Sequence, residues 1–357
     1  MPPNQAAPLA REEDRHGGQR EGLRDGPREA RAQRDGALLE VWDLVCHFKL
    51  RRKWWKGGPA PVVRAVDGVS LSVGRQETYA LVGESGCGKS TLGRLILRLE
   101  RPTSGAVRFE GRDWLALRGD HLRQARREVQ AIFQDPLGAL DPRRTVGKSV
   151  EEALDAHNLA KGQAARRRVA ELLESVGLRP ALAARYPHEL SGGQRQRVTV
   201  ARAIAGGPKF IVADEAVSAL DVSVQAQVIN LLADLQESLG VSYLFISHGL
   251  ATVRHMADRV GVMYLGRLVE EAPAEELFSA PAHPYTKALL SAAPAPDPTT
   301  ASKGVELRGE VPSAASLPSG CRFRTRCPKA KEICREAEPV LLAVAKGRSV
   351  ACHFPES

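Results

Sequence analysis

Residues 83–91 read Gly83-Glu84-Ser85-Gly86-Cys87-Gly88-Lys89-Ser90-Thr91, a G-x-x-x-x-G-K-S pattern suited to gripping phosphate. Glycines let the backbone curl so that successive N–H groups point inward at anionic oxygens. A helix opening at the loop adds unpaired N–H groups and a favourable dipole. Lys89 brings a point charge for the β- and γ-phosphates, and the Ser90 hydroxyl a ligand for Mg2+. The plain alternative is a glycine-rich turn that happens to carry Lys-Ser. The neighbouring pattern favours phosphate, because an apolar run (residues 78–82) precedes the loop and Leu92, Leu95, Ile96 and Leu99 follow at helical spacing.

Further groups with matching chemistry lie downstream. Asp214-Glu215 ends the apolar run Phe210-Ile211-Val212-Ala213. A carboxylate at the tip of a buried strand can hold Mg2+, and its neighbour can orient or deprotonate an attacking water. Solvation of a strand end is the structural alternative for such a pair. His248 follows a second apolar run, residues 241–246, and can donate to developing charge. Ser191-Gly192-Gly193-Gln194 stands before a helix through Val198, Ala201 and Ile204, a second anion-binding N-terminus. Cys87 occupies a free position of the loop and is expected to fill space there; the alternative, a thiol whose pKa is lowered by the helix N-terminus and Lys89, predicts labelling by maleimide that ATP protects against.

Four cysteines gather near the end: Cys321, Cys327, Cys334 and Cys352, spaced C-x5-C-x6-C-x17-C. Six cysteines in a chain of this length do not suggest a disulfide scaffold, so a reducing setting is expected and four clustered thiols suggest a metal site, although the short C-x-x-C pairs of zinc sites are absent and ferredoxin spacings do not match. Residues 319–357 carry eight Lys or Arg against four Glu, which would offset thiolate charge around iron–sulfur or zinc alike. Four reduced cysteines with no metal is the remaining reading.

The elements that must position these groups alternate. Strand patterns at residues 39–48, 69–73, 78–82, 106–109, 129–133, 210–213 and 241–246 are interleaved with helical ones, which predicts an α/β fold with a parallel sheet covered on both faces. Residues 137–190 have helical character, and Arg166-Arg167-Arg168 within them is expected on a solvated face. Residues 1–36, rich in Arg, Glu, Gly and Pro, are expected to be disordered. Trp54 and Trp55 lie in a basic loop and are candidates to stack on an adenine ring. From residue 273 to 318 there are eight prolines, and a linker-like extension with short elements is expected there.

The 357 residues carry a formal charge of +9. The first 36 hold seven Arg and seven Asp or Glu, so the excess belongs to the rest. A basic balance suits nucleotide, acidic headgroups or nucleic acid without choosing among them. No apolar run reaches the roughly 18–20 residues of a membrane span, and no signal peptide is evident.

Together these stretches resemble the ATP-binding subunit of an ABC transporter. Residues 83–91, Gln134, Leu190-Ser191-Gly192-Gly193-Gln194, Asp214-Glu215, Ser218-Ala219-Leu220-Asp221 and His248 follow that family's order across residues 38–270. The resemblance implies a P-loop NTPase (RecA-like) core with an antiparallel β subdomain, and a helical signature subdomain at about 137–205, within an ATPase domain spanning 37–272. It implies ATP and Mg2+, with Ser90, Gln134 and Asp214 at the metal and Glu215, His248, Lys89 and Gln134 catalytic. Ser191, Gly192, Gly193 and Gln194 would serve the ATP held by an opposing subunit, and Asp221 would be a further nucleotide-binding residue. Gly249, Ala216 and Gln76 depart from residues usual in the family: Asp, Pro and Gly respectively.

His283-Pro284-Tyr285-Thr286, Gly309-Glu310-Val311-Pro312 and Gly320-Cys321-Arg322-Phe323-Arg324-Thr325-Arg326-Cys327 are similar to the C-terminal extension of dipeptide and oligopeptide importer ATPases, here residues 273–357. Importers of nickel or glutathione have similar tails. Some members hold a [4Fe–4S] cluster, so Cys321, Cys327, Cys334 and Cys352 are its expected ligands, with Zn2+ as the alternative. The implied assembly is peripheral on the cytoplasmic face of the inner membrane. It contains a second homologous ATPase, two permeases and, indirectly, an extracytoplasmic substrate-binding protein. No nucleic-acid partner is expected. A soluble ABC protein acting on nucleic acid or ribosomes is the competing class, but this chain has one ATPase unit and no long coiled-coil insertion.

Overall fold

The computed structural model describes residues 36–50, 60–292 and 309–356. The expectations for residues 1–35 and for Trp54 and Trp55 lie outside them. The chain begins with two long antiparallel strands, β1 (Leu39–Lys49) and β2 (Val62–Val73). Then come β3 (Thr78–Val82), α1 (Lys89–Ile96), β4 (Ser104–Phe109), β5 (Arg112–Asp113), α2 (Gly119–Glu128) and β6 (Val129–Ile132). Four helices follow: α3 (Pro136–Ala139), α4 (Val146–Ala156), α5 (Gly162–Ser175) and α6 (Gly192–Ile204). Next are β7 (Phe210–Asp214), α7 (Val222–Leu239), β8 (Ser242–Ile246), α8 (Leu250–Met256), β9 (Arg259–Tyr264) and β10 (Arg267–Pro273). The extension adds α9 (Ala274–Ser279), α10 (Pro284–Ser291), α11 (Ile333–Glu336), β11 (Leu342–Ala345) and β12 (Arg348–Val350).

Two sheets result. The smaller is antiparallel, in the order β2-β1-β4-β5. The larger runs β11-β12-β10-β9-β3-β8-β7-β6. Its β9-β3-β8-β7-β6 portion is parallel, as the alternation of strands and helices requires. The remaining edge differs from the expected all-parallel sheet. β9 and β10 form an antiparallel hairpin, and β12 from the extension pairs with β10. β10 carries Glu270 and Glu271, both buried, so its charge hides a strand that sheet pairing nonetheless encloses.

One core lies between the sheets around α1. Leu92, Leu95 and Ile96 pack there with Tyr79, Leu81 and Trp114, whose Nε1 donates to the Ile96 carbonyl at 2.7 Å. Each such aliphatic side chain removed from water contributes roughly 1.5–3 kcal/mol. The second core runs from the far face of the large sheet into α4–α6 through Val150, Leu154, Val169, Leu172, Leu173 and Val198. Thr145 caps α4, accepting the Lys148 N–H at 3.4 Å.

In the segment expected to be linker-like with short elements, the described residues 273–292 form two short helices that are packed. Tyr285 and Thr286 are fully buried in α10, and Tyr264, Tyr285 and Phe323 form an aromatic cluster with centroids 4.7–5.4 Å apart. Few long apolar runs are needed there, because the β9–β10 hairpin supplies the surface on which these aromatics pack.

Candidate active site

Strand order brings the candidate residues together. β3, β8 and β7 are consecutive in the sheet and parallel, so the turns after their C-terminal ends share one edge, where open α/β sheets bind ligands. Residues 83–91 leave β3, Asp214 closes β7 and His248 stands two residues beyond β8. The loop's shape depends on glycine. Gly83 (φ 147°) and Gly88 (φ 108°) are left-handed, and a Cβ would stand 2.2 Å from the Met263 carbonyl oxygen at the first and 2.0 Å from that of Ala65 at the second.

Lys89 is buried, and its Nζ donates to the carbonyls of Gly83 (2.7 Å) and Glu84 (3.0 Å). The ammonium is thereby fixed inside the ring of loop backbone. Ser90 Oγ donates to Asp214 Oδ1 at 2.8 Å. Burial raises the Asp214 pKa, the Ser90 hydrogen bond opposes that, and the neighbouring Glu215 charge adds to it. Two adjacent carboxylates against a hydroxyl make an oxygen-rich, electron-rich corner, the donor set that Mg2+ takes. Glu215 sits at φ 49°, its N–H donated to the Ile246 carbonyl at 2.9 Å, and its Oε1 is 3.6 Å from His248 Nδ1. His248 itself is exposed.

Ser191, Gly192, Gly193 and Gln194 lie elsewhere on the chain, at the start of α6. Ser191 and Gln194 form a reciprocal capping box: Ser191 Oγ accepts the Gln194 N–H (3.3 Å) and Gln194 Oε1 accepts the Ser191 N–H (2.9 Å). Gly193 abuts the start of α7, where a Cβ would meet Val224 Cγ1 at 2.5 Å. Asp221, at the head of α7, is exposed, as is Gln134 beyond β6. The structure therefore gathers residues 83–91, Asp214, Glu215 and His248, and sets Ser191, Gly192, Gly193 and Gln194 beside the Asp221 turn.

Two residues that sequence reasoning did not assign also touch the phosphate loop. Tyr285 Oη accepts the Glu84 N–H at 2.8 Å, and Arg326 grips the Glu84 carboxylate. Tyr285 and Arg326 both lay in stretches noted for resemblance, but nothing local in them signals a contact with residue 84.

The cysteines divide into Cys87 in the loop and four in the extension. Burial pushes the Cys87 thiol up, outweighing the nearby Lys89 charge, which agrees with a space-filling side chain and counts against the alternative of an activated thiol. Cys321, Cys327, Cys334 and Cys352 do line one pocket, yet among the described residues no group of three or more such donors is arranged to hold a metal ion. Burial moves Cys321 to about 11 and raises Cys327 and Cys352. This arrangement gives the expected [4Fe–4S] cluster or Zn2+ no support beyond the shared pocket.

Comparison with known proteins agrees with the geometry. The sequence profile described as ABC transporter matches residues 66–218, and that of the oligopeptide/dipeptide transporter C-terminal region matches residues 269–334. A probable peptide ABC transporter ATP-binding protein, y4tS of Sinorhizobium fredii, is 52% identical over 317 residues, covering 89% of this chain and 90% of the relative. The oligopeptide transport ATP-binding protein AppF of Bacillus subtilis is 48% identical over 324 residues, covering 89% and 97%. Among solved structures, the dimeric post-hydrolysis state of the ATP-binding cassette MJ0796 with ADP and Pi aligns at TM-score 0.58 and 28% identity, over 66% of this chain and 98% of that one. With a phosphate loop, a strand-end carboxylate pair and a capped signature helix on this sheet, the chain belongs to the ATP-binding subunits of ABC transporters, in the oligopeptide/dipeptide group.

Proposed function

We propose that this chain hydrolyses ATP to drive import of dipeptides or oligopeptides, as one half of an ATP-sandwich pair docked on two membrane permeases at the cytoplasmic face. The carrying observation is the Ser90–Asp214 hydrogen bond of 2.8 Å, which joins the phosphate loop to the carboxylate corner at one sheet edge. The peptide cargo is supported by relatives named for peptide or oligopeptide transport. Nickel or glutathione cargo, and action on nucleic acid, have no such support. No helix among the described residues is long and apolar enough to cross a membrane, so membrane-spanning partners fall to other chains. A second ATPase subunit and a cargo-binding protein outside the membrane complete the reading.

In this reading Lys89 and the loop N–H groups bind the β- and γ-phosphates. Ser90, Asp214 and Gln134 would hold Mg2+, which when bound neutralises triphosphate charge. Glu215, fixed by its own backbone hydrogen bond, takes the proton from the attacking water. His248 donates to the charge that develops. Ser191, Gly192, Gly193 and Gln194, with Asp221, close on the nucleotide of the opposing subunit, so release of phosphate reopens the pair. The chain divides into an ATPase domain at 37–272, with its helical part at 137–205, and an extension at 273–357 tied to it through the β10–β12 pairing. A metal at the four thiols has only their convergence on one pocket in its favour; iron and zinc analysis of the purified chain decides it.

The test is Lys89→Ala in membranes carrying the full transporter. Uptake of labelled oligopeptide and ATP hydrolysis should both fall, by roughly 100-fold or more. Uptake and turnover near wild type would overturn the proposal.

A further inference from the structure

The extension reaches into the phosphate loop at its second residue. Arg326, 242 positions along the chain from Glu84, sets two nitrogens on its carboxylate: Nη1 donates to Oε2 at 2.6 Å and Nη2 to Oε1 at 2.9 Å. Tyr285 Oη accepts the Glu84 N–H at 2.8 Å. Glu84 is thus held by side chain and by backbone, in a loop whose own lysine also bonds the Glu84 carbonyl.

The clamp is anchored from behind. Arg326 is only 8% exposed. The segment between Cys321 and Cys327 sends Arg322 to Asp67 of β2 and to the Leu265 carbonyl, while Phe323 packs on Tyr264 and Tyr285. Exposed ion pairs contribute little, but a bidentate pair with a buried guanidinium is stronger and fixes geometry. Charge makes its placement consequential. A carboxylate in a loop that receives a triphosphate adds negative charge where more will arrive, and pairing with Arg326 cancels it. Removing the arginine leaves that carboxylate uncompensated.

We propose that Arg326 is a positioning residue for nucleotide binding: it neutralises Glu84 and, together with Tyr285, holds the phosphate loop, so that the C-terminal extension sets the affinity for ATP. The inference rests on the reading of residues 83–91 as the triphosphate cradle.

The test is a double-mutant cycle on the full-length chain, read by binding of a fluorescent ATP analogue with Mg2+. Arg326→Ala should weaken binding roughly tenfold or more, whereas in a Glu84→Gln background the same change should cost under about threefold. Arg326→Lys, which keeps the charge but loses the fork, should fall between. In the assembled transporter Arg326→Ala should raise KM for ATP with little change in kcat. A purely structural arginine costs the same in both backgrounds, and that equality overturns the inference. Should Arg326→Ala fail to fold, Arg326→Lys and Arg326→Gln carry the same cycle. A wild-type chain that binds no nucleotide removes the cradle reading and the clamp with it; wild-type binding with equal losses removes the clamp alone.

Discussion

Glu215 holds a backbone conformation that a non-glycine residue avoids, at φ 49°. Such left-handed residues cost about 1 kcal/mol or more and persist only where their surroundings compensate. Here the Ile246 carbonyl takes the Glu215 N–H, and the turn that follows closes with Ser218 donating back to the Glu215 carbonyl at 3.0 Å. The conformation aims the carboxylate beside Asp214 and His248 and does not let it continue the strand. Replacing it by the isosteric amide keeps shape and removes basicity. Glu215→Gln should therefore bind ATP as the wild type does and hydrolyse it roughly 100- to 10,000-fold more slowly, in a single-turnover assay on the assembled transporter. Turnover within a few-fold of wild type would take the proton-accepting role away from Glu215. Gln76 makes a related point about its own departure from glycine. It sits at φ 55°, which explains why glycine is usual there, and its N–H is held by Ser242 Oγ at 2.7 Å.

Among the elements, α6 joins stability to function most directly. In the proposed function its first residues expose N–H groups to an anion while remaining capped, and the Ser191–Gln194 box caps them without a charged side chain. Ser191→Ala should cost about 1 kcal/mol of stability through the lost cap. It should also depress ATP hydrolysis by the assembled pair by more than the loss of folded protein accounts for, as measured by denaturant unfolding beside steady-state turnover. Hydrolysis falling only in step with folded fraction would confine Ser191 to a structural role. α6 was legible in the sequence because its cap and apolar spacing agree. So were β3, β7 and β8, whose apolar runs end at turns carrying chemistry. α2 was not: Gly119–Glu128 buries only Ala125, and its charged residues give no apolar face to read. The β9–β10 hairpin was missed because its second strand buries glutamates. Glu271 is satisfied by Arg259, and Glu270 by the N–H groups of Ala282 and His283, partners outside its own strand. The placement of the candidate site residues was readable wherever they stand at a strand end. The Glu84–Arg326 contact was not, because no local pattern links positions so far apart.

At the scale of the molecule, the extension is bound to the ATPase core through one buried histidine as well as through arginines. His283 is 1% exposed; its Nδ1 accepts the Tyr285 N–H at 3.0 Å, and its backbone N–H is given to Glu270 at 2.8 Å. Burial lowers its pKa from 6.5 to about 4, a hydrogen bond to the Ala351 carbonyl opposing only part of that. The unfolded chain therefore takes up a proton at higher pH than the folded one. The stabilising contribution is fully present above pH 6.5 and is lost as pH falls through about 4. A shift of this size corresponds to about 3 kcal/mol at most. Protonation at Nδ1 also sets a proton against the Tyr285 N–H, the residue whose hydroxyl holds Glu84, so acid should loosen the extension and the phosphate loop together. Asparagine caps helices well and carries an acceptor near the Nδ1 position without titrating in this range. The wild-type melting temperature should fall steeply between pH 6.5 and 4, and the His283→Asn curve should be flatter across that window, the two diverging most above pH 6. Parallel curves would assign the acid sensitivity to other groups and detach His283 from the coupling between extension and core.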